Sequence, residues 1–133
     1  MLKLGLIKEG KIPQDNRVAL TPQQCKWLLK NRNDITIMVQ PSAKRCFSDD
    51  EYQRVGAALS DDLSSCDVLL GIKEVPIDDL IENKTYLFFS HTKKQQPHNR
   101  KLLKAIIQKN ITLIDYECLE HDDGQRIIGF GFF

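Results

Sequence analysis

Apolar residues fall along this chain in short blocks with two rhythms. Residues 2–7, 35–40, 67–72, 86–90 and 111–116 are brief runs rich in Leu, Ile, Val, Phe and Tyr. They have the length of strands and are too short for helices. Between them, apolar positions recur at helical spacing behind clear start signals. Thr21 can cap a helix, Pro22 suits its first position, and Gln24 completes a capping box. Cys25, Leu28 and Leu29 then share one face, and the helix is expected to end over residues 31–34. Ser48, Asp49, Asp50 and Glu51 form a second capping box, for a helix that stops at Gly56. Residues 97–110 give a third helix, with Leu102, Leu103, Ile106 and Ile107 as its apolar stripe and the region from Lys104 to Lys109 as its wet side. Residues 76–83 read as a short helix or turn. Asp122, Asp123 and Gly124 read as a hairpin-like turn before a last strand over residues 126–130. Trp27, Phe88 and Phe89 are expected in the core.

Strands alternating with helices predict an α/β fold, a doubly wound, mostly parallel sheet with helices on both faces, Rossmann-like or flavodoxin-like. The continuous apolar character of residues 86–90 and 111–116 suits strands buried on both sides. A length of 133 residues suits one domain. There is no internal repeat and no low-complexity linker.

Composition removes several function classes. The formal net charge is +1 and the densest basic run is Lys93-Lys94, so nucleic acid is not an expected partner. No apolar run approaches the roughly 18–20 residues that span a bilayer, so a membrane is not expected either. The first residues lack a signal-peptide pattern, which makes a cytoplasmic location the expectation. Cysteines stand at 25, 46, 66 and 118 without metal or redox spacing. They are expected to be small buried or half-buried thiols, and no metal site is expected.

In open parallel sheets, ligands sit beyond the carboxyl ends of the strands. Three polar residues fall there: Arg17 after the first strand, Lys73 after the run ending at Ile72, and His91 after the run ending at Ser90. An arginine grips a carboxylate with paired hydrogen bonds. A lysine holds a second oxygen or exchanges a proton, and a histidine titrates near neutrality. Together they suit a carboxylated small molecule bearing a carbonyl or an amine. Asp15, Glu74 and Glu117 lie near these positions and are expected to be surface charges. No Gly-x-Gly-x-x-Gly follows any strand, so nothing in the chain announces a dinucleotide site.

These residues carry a family resemblance. Arg17-Val18-Ala19-Leu20-Thr21-Pro22 resembles the opening signature of the alanine dehydrogenase and pyridine nucleotide transhydrogenase N-terminal domain. Leu70-Gly71-Ile72-Lys73-Glu74-Val75-Pro76 resembles its lysine segment, and Phe89-Ser90-His91-Thr92-Lys93 its histidine segment. Val39-Gln40-Pro41-Ser42, Leu113-Ile114-Asp115-Tyr116-Glu117 and Gly129-Phe130-Gly131 look most like the saccharopine dehydrogenase branch, especially its lysine-ketoglutarate reductase members. The likeness runs in order over nearly the whole chain.

The resemblance implies the substrate-side, N-terminal domain of an NAD(P)-dependent amino-acid oxidoreductase. It gives Arg17 the substrate carboxylate, Lys73 substrate contact and proton transfer, and His91 the acid/base role. Substrates would be saccharopine, or lysine with 2-oxoglutarate, and otherwise alanine with pyruvate. NAD or NADP would be held mainly by a domain missing from residues 1–133, and homo-oligomers would form through the full-length protein. The apolar, Gly-spaced ending at Phe133 reads as an interruption of a longer chain. The rival reading is a stand-alone small-molecule binding or interaction module that kept the fold without the catalysis. A transhydrogenase domain fits less well, because the segments around His91 and Tyr116 point to the saccharopine branch.

Overall fold

A computed structural model describes residues 1–11, 15–90, 99–125 and 127–128. The strands are β1 (Leu2–Leu6), β2 (Ile35–Val39), β3 (Ala58–Leu59), β4 (Val68–Leu70), β5 (Thr85–Phe88) and β6 (Thr112–Asp115). They form one six-stranded sheet in the order β3-β2-β1-β4-β5-β6. Each neighbouring pair is parallel. The order runs outward from β1 to one edge and from β4 to the other. A doubly wound sheet of this order has its switch point between the two central strands. Here those strands are β1 and β4, with Leu6 opposite Leu70 at their carboxyl ends.

The helices are α1 (Pro22–Asn31), α2 (Asp49–Arg54) and α3 (Arg100–Gln108), with single 3-10 turns at Ile77–Asp79 and Tyr116–Cys118. Both capping boxes form. The Thr21 hydroxyl accepts the Gln24 N–H at 3.1 Å while the Gln24 side chain accepts the Thr21 N–H at 2.8 Å. Ser48 and Glu51 do the same at 3.2 and 3.1 Å. Each exchange satisfies backbone donors that a helix start leaves without partners.

Alternation along the strands divides the core in two. Leu6, Ile37 and Val39 face Cys25 of α1 and Tyr52 of α2. Leu69, Tyr86 and Phe88 face the other way, against Leu102, Ala105 and Ile106 of α3 and against Leu63 and Leu80. Helices therefore cover both faces, as the strand–helix alternation predicts.

Several expectations need correction. Trp27 is 62% exposed. At about 100° per residue it points roughly 200° away from Cys25, off the buried face of α1. Ile107 is 70% exposed for the same reason, and the buried stripe of α3 is Leu102, Ala105 and Ile106. Lys109 is not simply wet, since its ammonium donates to the carbonyls of Ile77 at 3.1 Å and Leu80 at 3.2 Å. Finally, β6 is not buried on both faces: Ile114 is 37% exposed, and among the described residues the strand pairs only with β5. The strand expected over residues 126–130 lies largely outside the described residues. The turn before it is present, with Gly124 N–H donating to His121 O at 2.9 Å. Cys25 and Cys66 are buried, whereas Cys46 and Cys118 are exposed.

Candidate functional site at the switch point

The site is built from the segments just past β1 and β4. Beyond Leu6 and Leu70 the two strands stay tied, with Ile7 N–H donating to Leu70 O at 3.0 Å. The chain after β4 also remains tied to β5, through Gly71 N–H to Leu87 O at 2.9 Å and Phe89 N–H to Ile72 O at 2.8 Å. Lys73 therefore leaves a strand continuation anchored to its neighbour. It does not leave a loose loop.

The loop after β1 carries Asp15 and Arg17. The Arg17 guanidinium grips the Asp15 carboxylate through Nε, at 2.8 and 3.1 Å from its oxygens, and through Nη2. Asp15 also accepts the Arg17 backbone N–H at 2.9 Å. Lys73 Nζ lies 3.9 Å from the same carboxylate. Arg17 and Lys73, which lie on different loops, thus meet across one acid at the carboxyl ends of β1 and β4. The Asp15 side chain is only 7% exposed, against 41% for Arg17 and 36% for Lys73. Hydrogen bonds from Arg17 are the main cause that holds the Asp15 carboxyl down to about 2. Asp15 is therefore the anion at the centre of the cluster, not a surface charge. Glu74 also departs from that expectation. Its side chain is 12% exposed and it accepts from Lys11 Nζ at 2.8 Å. His91 lies outside the described residues.

The scaffold around the cluster is specific. Arg45, whose side chain is 8% exposed, donates to the carbonyls of Gln40 at 2.8 Å and Phe47 at 3.1 Å and pairs with Asp49. Its guanidinium lies 4.8 Å from the centre of the Tyr52 ring. This ties down the loop after β2. That loop in turn holds the Arg17 loop, since Cys46 N–H donates to Asn16 O at 2.9 Å. The Tyr52 hydroxyl donates to Leu20 O at 2.6 Å. Beside β5, Ser90 is fully buried and its hydroxyl bonds the buried Asp115 carboxylate, joining the ends of β5 and β6.

Sequence reasoning missed Glu9. Its carboxylate accepts backbone N–H groups from Ile72 at 3.1 Å and Lys73 at 2.7 Å. Burial is the main cause that pushes its carboxyl above the ordinary value, against those backbone hydrogen bonds. No local pattern announces it, because its partners lie 63 and 64 residues away. A cavity of about 440 Å³ opens on the α3 side of the crevice, where Glu9 and Lys73 are among its walls. A narrow cleft on the α1 side is walled by Glu9, Asp15, Arg17, Arg45 and Tyr52.

The turn after β1 lacks the open glycine cradle of a pyrophosphate site. In the fold, the turn after the first strand holds pyrophosphate where glycines let its backbone approach. Here a side chain on Gly10 would fall 2.9 Å from the Pro76 ring, so that turn is packed against protein. The wide cavity is lined by the acids Glu9, Asp61, Asp62, Glu74 and Asp79 together with Lys8 and Lys73. Among the described residues there is also no cluster of His, Cys, Asp and Glu that could hold a metal ion.

Comparison with known proteins bears on this arrangement. The family model of the alanine dehydrogenase/PNT N-terminal domain matches residues 5–132. Alpha-aminoadipic semialdehyde synthase of Arabidopsis thaliana is 42% identical over 132 residues, covering 96% of this chain and 12% of its own length. Saccharopine dehydrogenase [NAD(+), L-lysine-forming] of Emericella nidulans is 36% identical over 136 residues, covering 98% of this chain and 36% of its own. The chain thus spans between about an eighth and about a third of these curated relatives. A solved L-alanine dehydrogenase superposes with a TM-score of 0.78 at 20% identity, over 93% of this chain and 35% of its own, and shares the fold. The chain belongs to the family of the alanine dehydrogenase/PNT N-terminal domain.

Proposed function

We propose that residues 1–133 are the substrate-side domain of an NAD(P)-dependent amino-acid dehydrogenase, acting on saccharopine or on lysine with 2-oxoglutarate. The observation that carries this reading is the convergence of Arg17 and Lys73 on Asp15 at the switch point, in a chain of this family. Arg17 binds a substrate carboxylate, in exchange for part of its grip on Asp15. Lys73 touches substrate and takes part in proton transfer, and His91 is the general acid or base. Oxidation of an amine to an imine, followed by hydrolysis, requires proton movement at more than one step, which gives a lysine and a histidine separate tasks. The nicotinamide nucleotide, as hydride acceptor, is held mainly by a domain outside this chain. The name of the Emericella nidulans relative supports saccharopine over alanine as the substrate, and NAD as one form of the cofactor. A cytoplasmic location and assembly through the complete enzyme belong to the same proposal. No helix among the described residues is long and apolar enough to cross a membrane.

Titration of the chain with 2-oxoglutarate, followed by amide NMR, tests the binding half. Arg17→Ala and Lys73→Ala are each expected to weaken the wild-type affinity about tenfold, the effect of losing a charge-assisted hydrogen bond. In the complete dehydrogenase, His91→Ala is expected to cut turnover about 100-fold or more with the fold intact. Unchanged affinity in the first two variants, or unchanged turnover in the third, overturns the corresponding role. Binding by the chain with no turnover in the complete protein favours a binding module.

A further inference from the structure

We propose that Glu9 is the positioning residue for Lys73: it clamps the chain after β4 to the chain after β1 and so sets where the Lys73 ammonium enters the crevice. The inference rests on the reading that Lys73 binds substrate. Ile72 and Lys73 lie just past the end of β4, where the ladder to β1 gives out. Glu9 replaces that ladder with a side chain. Oε1 takes the Lys73 N–H at 2.7 Å and shares the Ile72 N–H, at 3.3 Å, with Oε2 at 3.1 Å, so both amides end on one carboxylate. From the other side, Phe89 N–H holds Ile72 O at 2.8 Å. The peptide that carries Lys73 is thus fixed on both flanks, to β1's loop by Glu9 and to β5 by its own carbonyl.

The sequence leaves room for this contact. A side chain at Gly71 would lie 2.8 Å from Ile7 Cδ1 and 3.3 Å from Glu9 Oε2. Glycine there lets Glu9 approach the strand end. Glu9 also stands between the two cavities, lining both. The groups around its carboxylate are Asp15 and Arg17 on its own loop, Lys73 after β4 and Tyr116 after β6. Removing the clamp therefore acts on Lys73 within a cluster whose other members keep their own anchors. Arg17 stays on Asp15, and the Arg17 loop stays on Asn16 and Leu20.

Burial pushes the Glu9 carboxyl up, while the two amide donors pull it down. A group whose folded value lies above its ordinary one stabilises the fold below the ordinary value, and that contribution is lost as pH rises through the folded value. Above that folded value, ionised Glu9 is thus a cost to the fold. Glu9→Gln keeps an acceptor oxygen for the two amides and sheds the buried charge.

A double-mutant cycle on this chain, read by 2-oxoglutarate affinity with melting temperature alongside, tests the proposal. Glu9→Ala is expected to weaken binding about tenfold in the wild-type background and not at all in the Lys73→Ala background. Glu9→Gln is expected to bind within about threefold of wild type and to melt no lower. Equal losses from Glu9→Ala in both backgrounds, or no loss in either, overturn the clamp while the role of Arg17 stands on its own variant. A tenfold loss in Glu9→Gln with its melting temperature held also overturns it, since charge rather than position would then matter. If the wild-type chain binds no 2-oxoglutarate, the substrate-side reading fails and the clamp falls with it. Should Glu9→Ala not fold, the comparison of Glu9→Gln with Glu9→Asp decides. The shorter Asp side chain cannot reach both amides, and equal affinity in the two variants overturns the proposal.

Discussion

Asp15 shows how one side chain can hold a site in readiness. Two cations from different loops approach it, and under the proposed function a substrate carboxylate has to take its place. On that proposal it is both a structural partner and a competitor. Its carboxyl is depressed from 3.8 to about 2, chiefly by hydrogen bonds from Arg17. A depressed carboxyl contributes stability that is fully present above the ordinary value and is lost as pH falls through the folded value. Asp15→Asn is therefore expected to cost about 1 kcal/mol at pH 6 to 7, a modest figure because the Arg17 guanidinium is half exposed and screened. Urea unfolding at stepped pH should show that gap closing as the pH drops from about 4 through 2. A gap of constant size across that range would mean that Asp15 acts by shape and not by charge. Little of this was legible in the sequence. Arg17 and Lys73 stand out because they follow apolar runs, whereas the place of Asp15 between them involves a lysine 58 positions further along.

At the scale of elements, local chemistry decided most of what could be read. The two capping boxes announce α1 and α2 because every partner lies within one turn, and both form as the sequence predicts. Thr21→Ala removes the hydroxyl that accepts the Gln24 N–H and is expected to lower stability by about 1 kcal/mol. Thr21→Ser should restore most of it, which separates the cap from the side chain's methyl group. Chemical denaturation of the three proteins measures this, and equal losses in Ala and Ser would assign the effect to packing. Where elements depend on distant neighbours, the sequence was less informative. β3 is two residues long and carries no period, so only its pairing with Met38 and Val39 makes it a strand. The apolar run of β6 looks like a central strand, yet its burial is set by what lies beside it, and nothing among the described residues pairs with its outer edge. Trp27 and Ile107 illustrate the same limit. Hydrophobicity suggested core for Trp27 and the apolar stripe of α3 suggested it for Ile107, while the angular position around each helix puts both in solvent.

At the scale of the whole molecule, the two halves of the core lie on opposite faces of the sheet, and β1 is one of its two central strands. Leu4 and Leu6 belong to the α1 side, while the opposite face of β1 is left open at Gly5. That gap is filled from elsewhere. A side chain at Gly5 would sit 2.6 Å from Leu69 Cδ2, 3.0 Å from Cys66 Sγ and 3.2 Å from Leu63 Cδ1. These residues are themselves fully or almost fully buried, and two of them belong to the segment that crosses from β3 to β4. Gly5→Ala therefore overpacks the seam where the sheet changes direction, which is expected to cost about 1–3 kcal/mol. Because the seam supports both cores, the cost should appear on both faces. Native-state hydrogen exchange checks this: the amides of Ile37 and Val39 on one side and of Tyr86 and Phe88 on the other should lose protection by the same amount. Loss confined to Tyr86 and Phe88 would show that the faces unfold separately. The switch-point crevice would then be a boundary between two units, and Arg17 and Lys73 could drift apart without global unfolding.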